Sequence, residues 1–227
     1  FYNPEAYIGE IYTGFDTSDK VIRTNDGVYN KDRLRVVNLG GTYIHRGAQS
    51  NTVFSSQFNQ GLYGFGASPK DNPLSSRGGQ LHSGFSKTNF EIAHLRSLPW
   101  DLLANLRYRQ QIASDPLAPQ QEFNLGGIDS IRGYPAADFL ADNAQVFNFE
   151  IISPAFFIPE RWRIPYAEDS IKNQTSLVGF VDYGRGDREG IMLGGEKRKV
   201  QYTGVGAGLR FKLFNQAALR LEWGVNV

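Results

Sequence analysis

The stretches "VGAGLRFKL" (205–213) and "LRLEWGVNV" (219–227) decide the fold class, because each alternates between two kinds of residue. Apolar side chains occupy every second position, and glycine or a polar residue fills the positions between them. The apolar positions are Val205, Ala207, Leu209, Phe211, Leu213, Leu219, Leu221, Trp223, Val225 and Val227. Successive side chains of a β-strand point to opposite faces, so both stretches are predicted to be strands with one apolar and one polar face.

The same period of two recurs upstream. It is clear at 102–112, 146–152 and 176–184, and weaker at 6–15, 33–46, 52–64 and 80–96. Segments rich in Gly, Pro, Asn and Asp, such as "SPKDNPLSSRGG" (68–79), separate these stretches as turns would. No segment of useful length has the period of a helix. We therefore predict an all-β chain of about nine strands.

The length of the predicted strands distinguishes two β architectures. Many run to about 9–12 residues, whereas strands of soluble proteins average about 5–6. This length favours an antiparallel transmembrane β-barrel, in which the apolar face contacts lipid and the polar face lines a wet lumen. The residues predicted to face lipid are Phe147, Phe149, Ile151, Leu177, Val181, Val205, Leu209, Phe211, Leu219, Leu221 and Trp223. A soluble β-sandwich, with the apolar faces as its core, is the alternative.

Two further features concern a membrane. Aromatic residues near the predicted strand ends suit the interfacial girdles of a barrel: Tyr12, Tyr43, Trp100, Tyr183 and Trp223. No apolar run approaches the roughly 20 residues that a membrane helix needs. The strands of a membrane barrel are recognised by alternation rather than by a continuous apolar run, so the absence of such a run does not argue against a barrel.

The composition argues against several function classes. The chain of 227 residues has a net charge of +1 and no basic block, so no nucleic-acid partner is expected. There is no cysteine, and His45, His82 and His94 are scattered along the chain, so no metal site is predicted. Neither a nucleophile elbow nor a phosphate-binding loop is present. We expect no enzymatic activity, no catalytic residue and no cofactor.

The segment "NLGGIDSIRGYPAADFLADNAQ" (124–145) does not fit a strand. It is too polar and too interrupted for one, and it is long for a hairpin turn. It also places a single arginine, Arg132, between an isoleucine and a glycine. An arginine on a polar loop is usually solvated, but inside a narrow lumen its guanidinium would need a carboxylate partner.

This segment resembles the inward-folded loop of the POTRA-barrel superfamily of outer-membrane proteins. The superfamily includes the barrel assembly protein BamA and the two-partner secretion transporters (TpsB, haemolysin-secretion type). Its hallmark is Val/Ile-Arg-Gly-Phe/Tyr after a pair of glycines. The matching residues here are Gly126, Gly127, Ile131, Arg132, Gly133 and Tyr134. By this resemblance the loop folds into the lumen of the barrel, and the glycines let its backbone turn tightly and pass close to the wall.

Two further family motifs follow in the expected order. "FEIISP" supplies Glu150, and "FVDYG" supplies Phe180, Asp182 and Gly184. The alternation, assigned from hydrophobicity alone, independently places Glu150, Phe180 and Asp182 on the polar face. We therefore expect Arg132 to reach Asp182, with Glu150 as the second candidate, and Tyr134 to pack near Phe180.

Within the superfamily, the sequence is most similar to the secretion transporters, notably the "LPW" turn (98–100) and "ASDPL" (113–117). The resemblance implies residues 1–227 are the C-terminal part of an outer-membrane barrel, with about nine of about sixteen strands. POTRA domains and flanking strands would lie outside this chain. The implied function is export of an unfolded partner protein from periplasm to cell surface, by a monomer embedded in outer-membrane lipid.

Two other functions are compatible with such a barrel. It would be an assembly factor that inserts other barrels if more than two POTRA domains preceded it. It would instead be the membrane anchor of a surface enzyme, such as a patatin-like lipase, if a hydrolase motif preceded it.

Overall fold

The computed structural model describes residues 6–24, 27–70, 72–163, 170–190, 192, 197–213 and 217–227. Within these ranges the chain is dominated by one antiparallel sheet of nine strands. The strands are β1 (Ala6–Thr24), β2 (Gly27–Arg46), β3 (Ser50–Gly61), β4 (Ser86–Ser97), β5 (Leu103–Ala113), β8 (Asn143–Pro154), β9 (Thr175–Asp187), β10 (Lys199–Leu213) and β11 (Ala217–Asn226). Each strand pairs with the next of this series, so β1 and β11 form the two edges of an open sheet.

The nine strands predicted from the sequence are confirmed, with different boundaries. β1 and β2 are longer than expected, with 19 and 20 residues. The strand expected at 80–96 begins only at Ser86. Leu81, Ser83 and Phe85 are buried at every second position and so imitate a strand, but they belong to a folded loop.

The two faces of the sheet differ as predicted. The predicted lipid-facing residues lie on one face, on which Val181 and Trp223 are 44% and 74% exposed. Polar and small residues occupy the opposite, inward face, where Asn38, Asn59 and Gln111 are buried. Tyr12 is a correction to the predicted girdle, because its ring lies against inward-facing Gly40.

The β3–β4, β5–β8 and β9–β10 connections lie at one end of the sheet, and the first two cover part of its inward face, whereas the β8–β9 connection lies at the other end. The β3–β4 connection is residues 62–85, here called the surface loop. The β5–β8 connection, residues 114–142, is here called the inward loop. It contains a short hairpin, β6 (Phe123–Leu125) with β7 (Phe139–Ala141), that the sequence did not predict.

Two buried apolar clusters attach these loops to the wall. The first joins the inward loop to β8–β10 and consists of Leu125, Ile131, Phe139, Ala141, Ala144, Val146 and Val200. The second joins the surface loop and the start of the inward loop to β2 and consists of Leu34, Val36, Leu81, Phe85, Leu117 and Ala118. The core of the chain is therefore the contact between loops and wall, on the concave side of the sheet.

Among the residues that the structure describes, the α-helix is confined to α1, the four residues Ile171–Gln174 that precede β9. Ser170 caps it, since its hydroxyl oxygen accepts a hydrogen bond from the Asn173 amide. In the described part of the chain, no helix has both the length and the apolar character needed to cross a membrane.

The two faces can be tested with adjacent serines of β3. Ser55 faces inward, beside a cavity of about 210 Å³ that Glu91 and Arg109 also line, whereas Ser56 faces outward between Gly41 and Phe90. In the full-length protein folded into phospholipid vesicles, Ser56→Arg should lower the free energy of unfolding by roughly 2–4 kcal/mol, because the guanidinium enters lipid. Ser55→Arg should have a much smaller effect. Equal losses in denaturant titrations would contradict the assignment of faces.

Candidate functional site

The tip of the inward loop turns back on itself through three glycines. Gly126, Gly127 and Gly133 have φ angles of +97°, +91° and +94°, a region that favours glycine. The amide of Gly127 donates a hydrogen bond to the Tyr134 carbonyl, 3.1 Å away, which closes the turn. At Gly133 a Cβ atom would lie only 2.8 Å from the Val225 carbonyl carbon of β11. The backbone of the loop therefore lies directly on the wall.

Arg132 is held by Asp182 in a two-point contact. The Arg132 Nε and Nη2 atoms donate to the two carboxylate oxygens of Asp182 at 2.6 and 2.7 Å. The backbone amide of Arg132 donates to the same carboxylate at 3.1 Å. Arg132 is 6% exposed and Asp182 is fully buried, so the pair lies away from bulk water. Such a planar fork is stronger and more directional than a single charged hydrogen bond.

Two more carboxylates complete the surroundings of the guanidinium. Its Nη1 atom donates to Glu150 at 2.5 Å and to Glu222 at 2.9 Å. Arg210 bridges the same two glutamates with hydrogen bonds of 2.6–3.2 Å, and Arg220 also contacts Glu222. Three guanidinium groups therefore face three carboxylates, on the loop and on strands β8 to β11. The balanced charge offsets part of the cost of burying each group.

Aromatic rings support the two ends of the tetrapeptide. The Phe180 ring lies under the guanidinium, with Cζ of Arg132 3.5 Å from the ring centroid, as in a cation–π contact. The Tyr134 ring stacks on Tyr202 at 4.1 Å, and the Tyr202 hydroxyl donates to Asp138. The expected contact of Tyr134 with Phe180 is thus replaced by two separate contacts, since the guanidinium occupies the face of Phe180.

The wall under the loop is made of small residues. A Cβ atom at Gly184 would lie 2.1 Å from Cδ1 of Ile131, and one at Gly204 would lie 2.0 Å from the Arg132 carbonyl oxygen. Both glycines belong to the inward face, on β9 and β10. Their missing side chains provide the space in which Ile131 and the loop backbone lie.

The structure brings together all the residues that the sequence selected. Gly126, Gly127 and Gly133 shape the loop, while Glu150, Phe180, Asp182 and Gly184 contact or surround its Ile-Arg-Gly-Tyr segment. Sequence reasoning missed Glu222 and Arg210 as members of the cluster. Both were assigned to the polar faces of their strands, but neither belongs to the motifs that carried the resemblance.

The opposite side of the inward loop borders an open space. A cavity of about 440 Å³ separates the loop from β4 and β5, and polar groups such as Lys87, Arg109, Gln111 and Glu122 line much of it. The Arg132 cluster thus holds the loop on β8–β11, while hydrogen bonds from Lys87, Arg109 and Gln111 join it to β4 and β5 around this cavity. Among the described residues, no group of three or more His, Asp or Glu side chains is placed to hold a metal ion.

Residues 16–211 match the family model described as "Haemolysin secretion/activation protein ShlB/FhaC/HecB". The chain belongs to this family. Members of this family are outer-membrane β-barrel transporters of the two-partner secretion type.

Individual relatives of the haemolysin secretion family agree with this membership. The chain is 27% identical over 135 residues to the heme/hemopexin transporter protein HuxB of Haemophilus influenzae strain Rd, a match that covers 57% of this chain and 21% of HuxB. HuxB of strain 86-028NP is 27% identical over 137 residues, covering 58% and 22%. The matched segment thus spans about a fifth of the length of these curated relatives.

The solved structure of CdiB from Escherichia coli has the same fold as this family member. The two superpose with a TM-score of 0.66 over 98% of this chain and 42% of CdiB, at 16% sequence identity. The nine-stranded sheet is therefore similar to part of the CdiB barrel.

Loss of the fork should release the loop. In this cysteine-free chain, a spin label on a cysteine replacing exposed Ala137 would report the motion of the tip. We expect Arg132→Ala to convert most of the label from the restricted to the mobile spectrum, because Asp182 and Glu150 lose their partner. Arg132→Lys should restore little, since an ammonium cannot form the planar fork. An unchanged spectrum for Arg132→Ala would show that other contacts hold the tip.

The glycine wall gives a second test. Gly204→Ala should destabilise the barrel by roughly 1–3 kcal/mol, because the added methyl group meets backbone that cannot move without displacing the loop. Gly179→Ala, on the outward face of β9 with nothing within 4 Å, is the matched control. The stability of each variant is measured as the midpoint of its denaturant titration in detergent or vesicles. Equal midpoints would mean that the loop does not lie on the wall.

Proposed function

We propose that this chain is the translocating part of an outer-membrane barrel that exports an unfolded partner protein from periplasm to cell surface. Membership of the haemolysin secretion/activation family supports the proposal, as does the likeness to CdiB in fold. The observation that carries it is the Arg132 cluster, which fixes the inward loop to β8–β11 while a polar cavity stays open beside β4 and β5.

The loop acts as a tethered partial plug. The loop narrows the lumen, and the cavity beside β4 and β5 offers hydrogen-bonding groups to an extended chain. A polypeptide in such a passage can exchange its hydrogen bonds with the polar wall, so no single strong contact holds it. Arg132 anchors the loop to the wall. The wall residues that receive it are Asp182, Glu150, Phe180 and Gly184.

The remaining parts of the proposal follow from the same architecture. The outward apolar face contacts outer-membrane lipid, and a single copy encloses the passage. Strands and POTRA domains outside this chain complete the barrel and receive the partner protein; the chain's coverage of 42% of CdiB is consistent with this division. The protein acts without catalytic residues, cofactor or nucleic acid.

Export of the partner protein tests the role of the tether. We expect Arg132→Ala to reduce the secreted partner by roughly tenfold or more, because removing one member of a buried charged cluster leaves the others uncompensated. The barrel should still insert, since the apolar clusters and the sheet are unchanged. Secretion is measured beside the amount of heat-modifiable, folded barrel in the outer membrane. Arg46→Ala, at an exposed position near the end of β2, is the control.

Two outcomes would redirect the proposal. Normal export by both Arg132→Ala and Asp182→Ala at normal barrel levels would remove the cluster from the transport mechanism. A general loss of other outer-membrane proteins on depletion of the parent protein would favour an assembly factor instead.

A further inference from the structure

A second buried arginine, Arg77, lies at the base of the inward hairpin. Glu122 directly precedes β6 and Asp142 directly follows β7, so the two acids flank the open end of the hairpin. Arg77 comes from the surface loop and contacts both, with Nη1 2.6 Å from Glu122 and Nη2 2.9 Å from Asp142. The side chains of Glu122 and Asp142 are fully buried. One guanidinium thus bridges both arms of the hairpin.

The same cluster joins a third connection, the one between β9 and β10. Arg77 Nη2 donates to the Glu189 carbonyl at 2.8 Å, and the Glu189 amide donates to Asp142 at 2.7 Å. Asp142 also accepts a hydrogen bond from the Leu117 amide at 2.7 Å. The partners of Arg77 are 45, 65 and 112 residues away in sequence. A single side chain therefore ties together three connections at one end of the sheet.

Burial of the Glu122 carboxylate in this cluster is unfavourable. Burial raises the pKa of the Glu122 carboxyl above its ordinary value, although the Arg77 and Arg188 guanidinium groups oppose the shift. In the described part of the chain, the second oxygen of Glu122, Oε2, is buried without a hydrogen-bond partner. An unsatisfied buried acceptor weakens the closed arrangement. Loss of Arg77 would leave two buried carboxylates without their main cation.

The Arg77 cluster borders the polar cavity. Glu122 belongs to the cluster and also lines the 440 Å³ cavity beside β4 and β5. Gln121 lines it too, and accepts hydrogen bonds from Lys87 of β4. The surface loop is thus fastened beside one border of this cavity.

We propose that Arg77 is a latch that fastens the surface loop to the base of the inward hairpin and holds both loops over that end of the concave face. The two arginines then have separate roles on one hairpin: Arg132 anchors its tip to the wall, and Arg77 joins its base to the covering loop. Opening the latch separates this part of the surface loop from the base of the hairpin, while the tip and the apolar contact of the loop with β2 stay in place. Its use during export rests on the proposed function, but the closure itself does not.

The latch is tested without a partner protein, on the purified full-length protein. Planar bilayer recordings measure how often the pore opens, and added protease measures cleavage within residues 62–85 in vesicles. Arg77→Gln should raise both by about tenfold or more, because cleavage follows the population of the open loop. Lys70→Gln, at an exposed position in the same loop, removes the same charge and should leave both unchanged.

Glu122→Gln provides a second variant if Arg77→Gln folds poorly. It keeps the shape of the side chain, so it should raise opening less than Arg77→Gln and in the same direction. Arg132→Ala should mobilise the tip without increasing cleavage of the surface loop. If both Arg77→Gln and Glu122→Gln leave pore opening and cleavage at the parent level, the latch is refuted, whether or not the protein exports a partner.

Discussion

The fork between Arg132 and Asp182 is the interaction on which the rest of the structure depends. A guanidinium buried in a barrel lumen is costly unless carboxylates surround it, and three carboxylates on three strands do so here. This requirement fixes the tip of the inward loop at one place on the wall. It also requires glycines on β9 and β10, because the loop backbone can approach the wall only where side chains are missing. The carboxylates around Arg132, the position of the loop and the glycines of the wall therefore depend on one another.

The two sides of the concave face therefore differ. The inward loop lies on β8–β11 through the Arg132 cluster and an apolar cluster, and a polar cavity remains on the side of β4 and β5. Under the proposed export function, the inward loop stays bound at its tip during passage of a chain. The part that must move is then small, and it lies where the surface loop meets the base of the hairpin. Because Arg132 holds the tip of the hairpin and Arg77 holds its base, the contact at the base can open while the contact at the tip stays closed.

The sequence predicted the sheet well because alternation is a local signal that each strand carries by itself. It also predicted Arg132, Asp182 and Glu150 as neighbours, since the resemblance named the residues and the alternation placed the acids on the inward face. Glu222 was missed because its contact depends on the position of β11 relative to the loop, which no local pattern contains. Arg77 was missed for the same reason, as its partners are 45 or more residues away. Tyr12 was misplaced because an aromatic residue near a strand end fits both a girdle and a lumen.

The most direct test of the central claim is to replace the charged anchor by a covalent one. Cγ1 of Ile131 lies 3.1 Å from the position that a Cβ atom of residue 184 would take, which is compatible with the separation a disulfide needs. Export is measured for Arg132→Ala with Ile131→Cys and Gly184→Cys in the same chain, before and after reduction. If Arg132 serves only to hold the loop on the wall, the oxidised protein exports its partner and the reduced protein does not. Failure of export by the oxidised, correctly folded protein would contradict the account, because the loop would then be fixed and still inactive.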